Sequence, residues 1–173
     1  MQTEKIIGRV VELLKVRYPT YRLELVGHSL GGAVAALAGL DFKGRGWDVR
    51  VTTFGEPKVG NAALAAFFDR KFDGEGYRRV THLDDPVPLV PLASMGYRQH
   101  GHEVFIGRKE MPCGRGDVRR CEGSEDPECS AGSPLGLSLL FPLAGIMAHR
   151  DYFHRLGICL PVDERWKVTE DEL

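Results

Sequence analysis

The chain has 173 residues, 43% of them hydrophobic and 27% charged, and this composition predicts a single globular domain rather than a disordered or fibrous protein. Its 23 basic and 24 acidic residues give a net charge of −1, which removes any electrostatic case for binding nucleic acid or an anionic membrane. The longest nearly apolar stretch, 135–148, is too short to cross a bilayer, which needs about 20 residues. No transmembrane segment is therefore predicted.

The first element predicted is an amphipathic helix, because apolar residues recur at helical spacing from Ile6 to Tyr18 and Pro19 would end it. No basic cluster followed by a long apolar core precedes it, so no signal peptide is predicted from these residues. At the other end, residues 170–173 are interpreted as a solvated acidic tail rather than a retrieval signal. Asn61 is followed by Ala-Ala and forms no glycosylation sequon.

Strands and helices then alternate along the chain. The pattern predicts strands at 21–26, 49–54, 77–83 and 103–106, and helices at 33–40 and 61–72. The small apolar residues of 33–40 predict a helix packed tightly against a neighbour, and the polar segment 107–133 is predicted to be a loop. Because strands separated by helices form βαβ units, we expect an α/β fold with a mostly parallel sheet flanked by helices. No repeat or domain boundary divides residues 1–173.

The pattern with the clearest chemistry is Gly27-His-Ser29-Leu-Gly31, a G-x-S-x-G between a predicted strand and a predicted helix. Such a turn is tight enough to strain Ser29 and to favour glycine at positions 27 and 31. It exposes the serine hydroxyl and aims the Leu30 N–H at a reacting carbonyl, with the positive end of the helix behind it. This context predicts a nucleophilic serine; the alternative is an ordinary turn.

A serine nucleophile needs a base and an orienting acid, in the chain order Ser, acid, His. The acid should follow a strand, which favours Asp84 or Asp85. His28 is expected to be a packed residue of the turn, pointing away from the nucleophile, and His82 a strand-end residue. The histidines that remain as candidate bases are His100, His102, His149 and His154.

Two of the four cysteines, Cys121 and Cys129, lie in a polar loop whose closure is easy, and a disulfide is favoured over a zinc site because their gap is wider than usual for a ligand pair. A disulfide indicates an oxidising compartment, which conflicts with the prediction that these residues include no signal peptide. No cofactor or metal site is predicted.

Four segments together resemble the fungal class 3 lipases, a family that includes Rhizomucor-type triacylglycerol lipases and feruloyl esterases of type A. They begin at Gly27 (GHSLGGA), Thr53 (TFGEPKVGN), Asp85 (DPVPLVP) and His149 (HRDYF), and they lie in the family's order. The resemblance covers roughly residues 5 to 160. It implies an α/β-hydrolase fold, of which this chain corresponds to the C-terminal portion, and an extracellular protein.

The resemblance also implies residue roles. Ser29 would attack the ester, His149 would carry its proton and Asp85, rather than Asp84, would orient His149. Val87, Val90 and Pro91 match positions that line the family's acyl pocket, although loop packing alone also explains them. The Cys121–Cys129 loop resembles a disulfide loop of the family.

Several departures from the family pattern follow from the partial match. The first strands, the lid helix and one oxyanion donor lie outside it, and losing one such donor costs on the order of 10²–10³ in rate. Cys159 matches a cysteine whose family partner is also outside, which leaves Cys113 or a free thiol. The strand at 21–26 would become an exposed edge, so we expect self-association. Arg150 stands where some family members have an apolar residue, and 135–148 would either touch a lipid interface or cover the core.

The sequence therefore predicts a serine carboxylester hydrolase, with a triacylglycerol lipase as the first candidate. A feruloyl or short-chain esterase is an alternative prediction within the same class. An acyltransferase or a thioesterase, which would use the same serine chemistry, is a further alternative. A catalytically silent fragment is the alternative from another class. The expected partner is an ester or acylglycerol substrate, at a lipid interface if 135–148 contacts one.

Overall fold

The computed structural model describes residues 2–72, 74–133 and 142–156. The helices are α1 (Gln2–Arg17), α2 (Leu30–Gly44), α3 (Ala62–Lys71) and α4 (Pro142–Ala148). The strands are β1 (Leu23–His28), β2 (Val49–Phe54), β3 (Gly60–Asn61), β4 (Tyr77–His82), β5 (Tyr97–Arg98), β6 (Glu103–Ile106), β7 (Val118–Arg120), β8 (Asp151–Tyr152) and β9 (His154–Arg155). No helix in this part of the chain is long and apolar enough to span a membrane.

Five strands form one sheet in the order β1-β2-β4-β6-β7. The pairs β1–β2, β2–β4 and β4–β6 are parallel, and only β7 runs antiparallel, against β6. The carboxyl ends of β1, β2 and β4 therefore lie side by side, which is where ligand sites form in α/β sheets. The predicted mostly parallel sheet flanked by helices is confirmed.

The main hydrophobic core lies between this sheet and the helices α2 and α3. Ala36, Val51, Phe68 and Phe72 are fully buried there. α2 packs closely on β2, since a Cβ on Gly39 would lie 2.4 Å from Cγ2 of Val51. This contact explains the small residues of 33–40 and confirms the predicted tight packing.

A second, smaller core forms around Val80, Ile106 and Tyr152, which are buried together. It joins β4 and β6 to the short strand β8, and so it fixes the segment that follows α4 to the central sheet. This segment contains His149, which the core thereby holds near the ends of the central strands.

The observed boundaries differ from the predicted ones where backbone geometry decides them. β2 and β6 have the predicted bounds, whereas β1 lies two residues later than predicted, at Leu23–His28. α2 begins at Leu30 rather than 33 because the turn at Ser29 leads straight into the helix. The prediction of a loop throughout 107–133 is wrong, since β7 pairs with β6 through backbone bonds that its Val-Arg-Arg sequence does not signal.

α1 forms as a helix but leaves most of its apolar side chains in solvent. Ile6 is 65% and Leu13 69% exposed, while Val11 packs against the main core. Beside it, β1 is the edge of the sheet, and Val26 on that edge is 67% exposed. The described residues thus include an open strand edge of the kind that natural proteins normally cover.

Candidate active site

Ser29 occupies the sharp turn between β1 and α2, with φ 56° and ψ −128°, a conformation that is strained for any residue but glycine. Gly27 makes the turn sterically possible, because a Cβ there would lie 2.1 Å from the carbonyl oxygen of Gly31. The predicted crowding at Gly31 itself is wrong: a Cβ there would meet nothing within 4 Å. The crowded glycine is the next one, Gly32, where a Cβ would lie 3.4 Å from each of its nearest neighbours.

The backbone around Ser29 joins the turn to the next strand and leaves a donor free at the helix start. The Ser29 N–H donates to the carbonyl of Phe54 at 2.9 Å. Leu30 is the first residue of α2, so its N–H has no acceptor within the helix. An N–H in this position, at the positive end of a helix, can donate to an oxyanion.

Asp85 and His149 come together although 64 residues separate them. Nδ1 of His149 lies 2.9 Å from Oδ2 and 3.1 Å from Oδ1 of Asp85. The Asp85 side chain is fully buried and that of His149 is 17% exposed, so the pair has one side open to solvent. The alternative acid, Asp84, instead pairs with Lys109 at 3.2 Å.

Two further groups hold the Asp85 carboxylate. The Val87 N–H donates to Oδ1 at 2.8 Å, and the Tyr152 hydroxyl donates to Oδ2 at 2.5 Å. Burial, and then the negative charge of Asp85, raises the pKa of Tyr152 well above its ordinary value, so this phenol remains a donor. Sequence reasoning missed Tyr152, whose only signal is its position three residues after His149.

Gly55 is the residue around which this group is assembled. A Cβ on Gly55 would lie 2.9 Å from Cε1 of His149, 2.9 Å from the Tyr152 hydroxyl and 3.0 Å from Oδ2 of Asp85. Its φ of +59° is also one that favours glycine. The residue before Gly55, Phe54, accepts the Ser29 N–H. The end of β2 therefore connects the serine turn to the Asp85–His149 pair.

His28, predicted to be a packed residue of the turn, packs against His149. Its ring lies 4.6 Å from that of His149, centroid to centroid, and its Nε2 lies 2.7 Å from the His149 carbonyl oxygen. His82 ends β4 as predicted and is fully buried, with each ring nitrogen next to a backbone carbonyl. His154 is exposed on β9.

His100 belongs to a buried polar cluster and not to the group around Asp85. The cluster centres on Glu56, whose carboxylate accepts bonds from Thr53 and Tyr77 at 2.6 Å each and contacts Nε2 of His100 at 3.0 Å. Burial raises the pKa of Glu56, but these partners outweigh it and the net shift is downward. His102, in a left-handed backbone conformation, follows this cluster at the start of β6.

The three expected acyl-pocket residues follow Asp85 directly. Val87 begins a short 3₁₀ turn, and the Val90 carbonyl accepts the Lys58 N–H at 2.8 Å. A cavity of about 440 Å³ adjoins this segment, but Pro88, Leu89 and Leu92 line it, and Val87, Val90 and Pro91 do not. The Arg150 guanidinium donates to the Leu156 carbonyl.

The predicted disulfide between Cys121 and Cys129 is confirmed, with an S–S distance of 2.02 Å. Asp126 lies close to both sulfurs, but in this structure the sulfurs are bonded to each other and not free to bind a metal. Cys113 is a half-buried free thiol. Cys159, the acidic tail and residues 135–141 lie outside the described residues.

The fold and the geometry at the ends of β1, β2 and β4 define the chain as an α/β-hydrolase. A family model described as lipase (class 3) matches residues 2–95, and the chain belongs to the class 3 lipase family. It is 43% identical to secreted mono- and diacylglycerol lipase 2 of Gibberella zeae and 41% identical to lipase A of Sodiomyces alcalophilus. Those alignments cover 92% and 91% of this chain and 48% of each relative.

The fold is also that of solved fungal lipases. The crystal structure of Lip2 lipase from Yarrowia lipolytica superposes with a TM-score of 0.80 at 36% identity, covering 88% of this chain and 54% of that one. The chain thus spans about half the length of the relatives that it matches.

Proposed function

We propose that the chain supplies the catalytic residues of a serine ester hydrolase that cleaves acylglycerols through an acyl-enzyme. The observation that carries this proposal is the Asp85–His149 hydrogen bond beside the strained turn of Ser29. A nucleophile, a base and an acid in these positions have the roles required for acyl transfer.

In the proposed reaction, His149 Nε2 accepts the Ser29 hydroxyl proton as the serine oxygen bonds to the ester carbonyl carbon. The Leu30 N–H stabilises the resulting oxyanion. The intermediate collapses, the C–O bond to the alcohol breaks and His149 returns the proton to the leaving alkoxide. Water then attacks the acyl-enzyme by the same steps, which releases the carboxylic acid and restores Ser29. Asp85 keeps the His149 Nδ1–H in place and stabilises the imidazolium.

Acylglycerols are the proposed substrates because relatives of this chain are named for them. The Gibberella zeae relative is a mono- and diacylglycerol lipase by name, which favours partial glycerides over the triacylglycerols first expected from sequence. Val87, Val90 and Pro91 are proposed to line the acyl site. A feruloyl or short-chain esterase remains the second candidate, since all of these substrates need the same Ser29 chemistry.

Labelling with a fluorophosphonate, measured by intact mass, tests the proposal. We expect one label per chain, lost in Ser29→Ala and retained in Ser94→Ala, a matched change at an exposed serine. His149→Ala should lose labelling while His154→Ala keeps it. Release of fatty acid from mono-, di- and triacylglycerols, compared with ferulate from methyl ferulate, then identifies the substrate. A folded chain that takes no label would instead be the catalytically silent fragment.

Two further proposals concern the location of the protein and its association with a second copy of itself. Relatives named as secreted, together with the Cys121–Cys129 disulfide, support an extracellular protein. The open β1 edge with its exposed Val26 supports self-association of two copies of this chain through that edge.

A further inference from the structure

Two histidines hold the backbone on either side of the candidate base. Nδ1 of His82 lies 3.0 Å from the Ala148 carbonyl oxygen, and Nε2 of His28 lies 2.7 Å from the His149 carbonyl oxygen. The two rings come from the ends of β4 and β1, on different parts of the sheet. The carbonyls of Ala148 and His149 are thus each held by an imidazole from the carboxyl end of a parallel strand.

We propose that His28 and His82 are positioning residues for His149, and that His82 acts with both of its ring nitrogens protonated. This inference rests on the proposed role of His149 as the base. Asp85 fixes the His149 ring from one side, whereas His28 and His82 fix the backbone from which the ring projects. A displacement of that backbone by a fraction of an ångström would move Nε2 relative to Ser29.

The protonation of His82 follows from its two acceptors. Its Nδ1 faces the Ala148 carbonyl, and its Nε2 lies 2.7 Å from the Arg108 carbonyl oxygen. A carbonyl oxygen only accepts hydrogen bonds, and a neutral imidazole has a single N–H. Both contacts are hydrogen bonds only if the ring carries two N–H groups and a positive charge. His28 makes one such contact, which a neutral ring can satisfy.

A buried imidazolium needs a compensating charge, and the surroundings of His82 provide one. Asp151 is 4% exposed, and the hydrogen bond from Arg155 lowers its pKa, so this nearby carboxylate is ionised. Among the described residues, the Tyr152 ring lies 6.0 Å from that of His82, centroid to centroid, the Asp85 N–H donates to the His82 carbonyl, and Arg108 contributes the carbonyl at Nε2.

The proposal predicts the effect of losing one of the two His82 N–H groups. While His82 carries both protons, the Ala148 and Arg108 carbonyls are both bonded. A ring with a single N–H would leave one of these carbonyls without its donor, which is unfavourable for the Ala148 carbonyl because Ala148 is buried. Loss of the bond to Ala148 should therefore lower the reactivity of Ser29 through loss of His149 positioning.

A pair of nearly isosteric variants separates the two bonds of His82. The amide nitrogen of asparagine stands near the position of Nδ1, and that of glutamine near Nε2. His82→Asn therefore keeps a donor for Ala148, and His82→Gln keeps one for Arg108. We expect His82→Gln to lower the rate of fluorophosphonate labelling about tenfold and His82→Asn to stay within about twofold of the wild-type rate. His154→Gln is the surface control.

Nitrogen NMR of the full chain tests the protonation directly and needs no activity. We expect both His82 ring nitrogens to carry hydrogen at neutral pH and His28 to carry one. A nitrogen spectrum that shows one protonated and one unprotonated ring nitrogen in His82 at neutral pH would overturn the proposed charge. Equal labelling rates in His82→Asn and His82→Gln would overturn the positioning through Ala148. If Ser29 takes no label in any variant, the proposed function fails, and the NMR result still decides the state of His82.

Discussion

The Tyr152 hydroxyl donates a 2.5 Å hydrogen bond to Asp85 Oδ2, the same carboxylate oxygen that lies 2.9 Å from His149 Nδ1. The phenol thus fixes the acid that orients the base. Its ring also packs edge-on to Phe54 and His28, which connects it to the ends of β2 and β1. One aromatic residue from the short strand β8 therefore contacts the acid and both strand ends.

Removal of the phenol should impair reactivity more than folding. Tyr152→Phe keeps the ring packing but leaves Asp85 Oδ2 without this donor, so the carboxylate can rotate away from His149. We expect labelling of Ser29 to slow by about tenfold, with a loss of about 1 kcal/mol in the free energy of unfolding. Labelling kinetics and urea unfolding measure the two effects, and Tyr97→Phe serves as the control. An unchanged labelling rate would show that Val87 and His149 suffice to orient Asp85.

Gly55→Ala should abolish labelling because the new methyl group would lie within 3.0 Å of atoms of His149, Tyr152 and Asp85. Gly46→Ala is a matched control: its φ is +84°, so it bears the same kind of backbone strain, but a Cβ there meets nothing within 4 Å. Both variants should lose about 1–2 kcal/mol of stability from the positive φ, and only Gly55→Ala should lose the label. Labelling retained in Gly55→Ala would contradict the assembly of the group around Gly55.

Glu56 should make stability depend on pH. Its pKa is lowered in the folded protein, because the bonds from His100, Thr53 and Tyr77 outweigh burial. A lowered folded-state pKa contributes stability that is present above the unfolded value of 4.5 and is lost as the pH falls through the folded value. Urea unfolding at neutral pH should show Glu56→Gln about 1–3 kcal/mol less stable than wild type, with the difference shrinking in acid. Glu125→Gln, on the surface, should show no such trend.

Loss of the Cys121–Cys129 disulfide should destabilise the loop that follows β7. Because the bond closes a short loop of sequence separation 8, replacing both cysteines with serine should cost about 2–3 kcal/mol in the chain-entropy model. Thermal unfolding followed by circular dichroism measures the loss. Cys113→Ser, which removes the free thiol, is the comparison, and an equal loss there would contradict a specific contribution from the disulfide.

The open edge of β1 should make the chain self-associate, and a charge on that edge should reduce the association. We expect light scattering to give masses above 19.2 kDa for the wild type and a shift towards the monomer for Val26→Lys. Ser94→Lys adds the same charge at an exposed residue outside the sheet and should leave the mass unchanged. A monomeric wild type would exclude association through this edge.

The sequence by itself determined the elements whose signals are local. The α/β alternation, the exact bounds of β2 and β6, the turn around Ser29 and the Cys121–Cys129 bond could all be predicted from periodicity, glycine spacing or loop closure. Such features depend on neighbours in the chain, so composition and spacing carry them. β7 was missed because pairing with β6 fixes it through backbone bonds that its own side chains do not signal.

Only the tertiary structure decided which groups meet around His149. The contacts there join segments that lie far apart in the sequence. Tyr152 bonds to Asp85, Gly55 lies against both, and the rings of His28 and His82 contact the carbonyls of His149 and Ala148. Only His149 and Tyr152 are close in the sequence. No local pattern encodes such contacts, because they depend on the order of parallel strands and on where each strand ends. The sheet order β1-β2-β4 therefore converts separate motifs into one site.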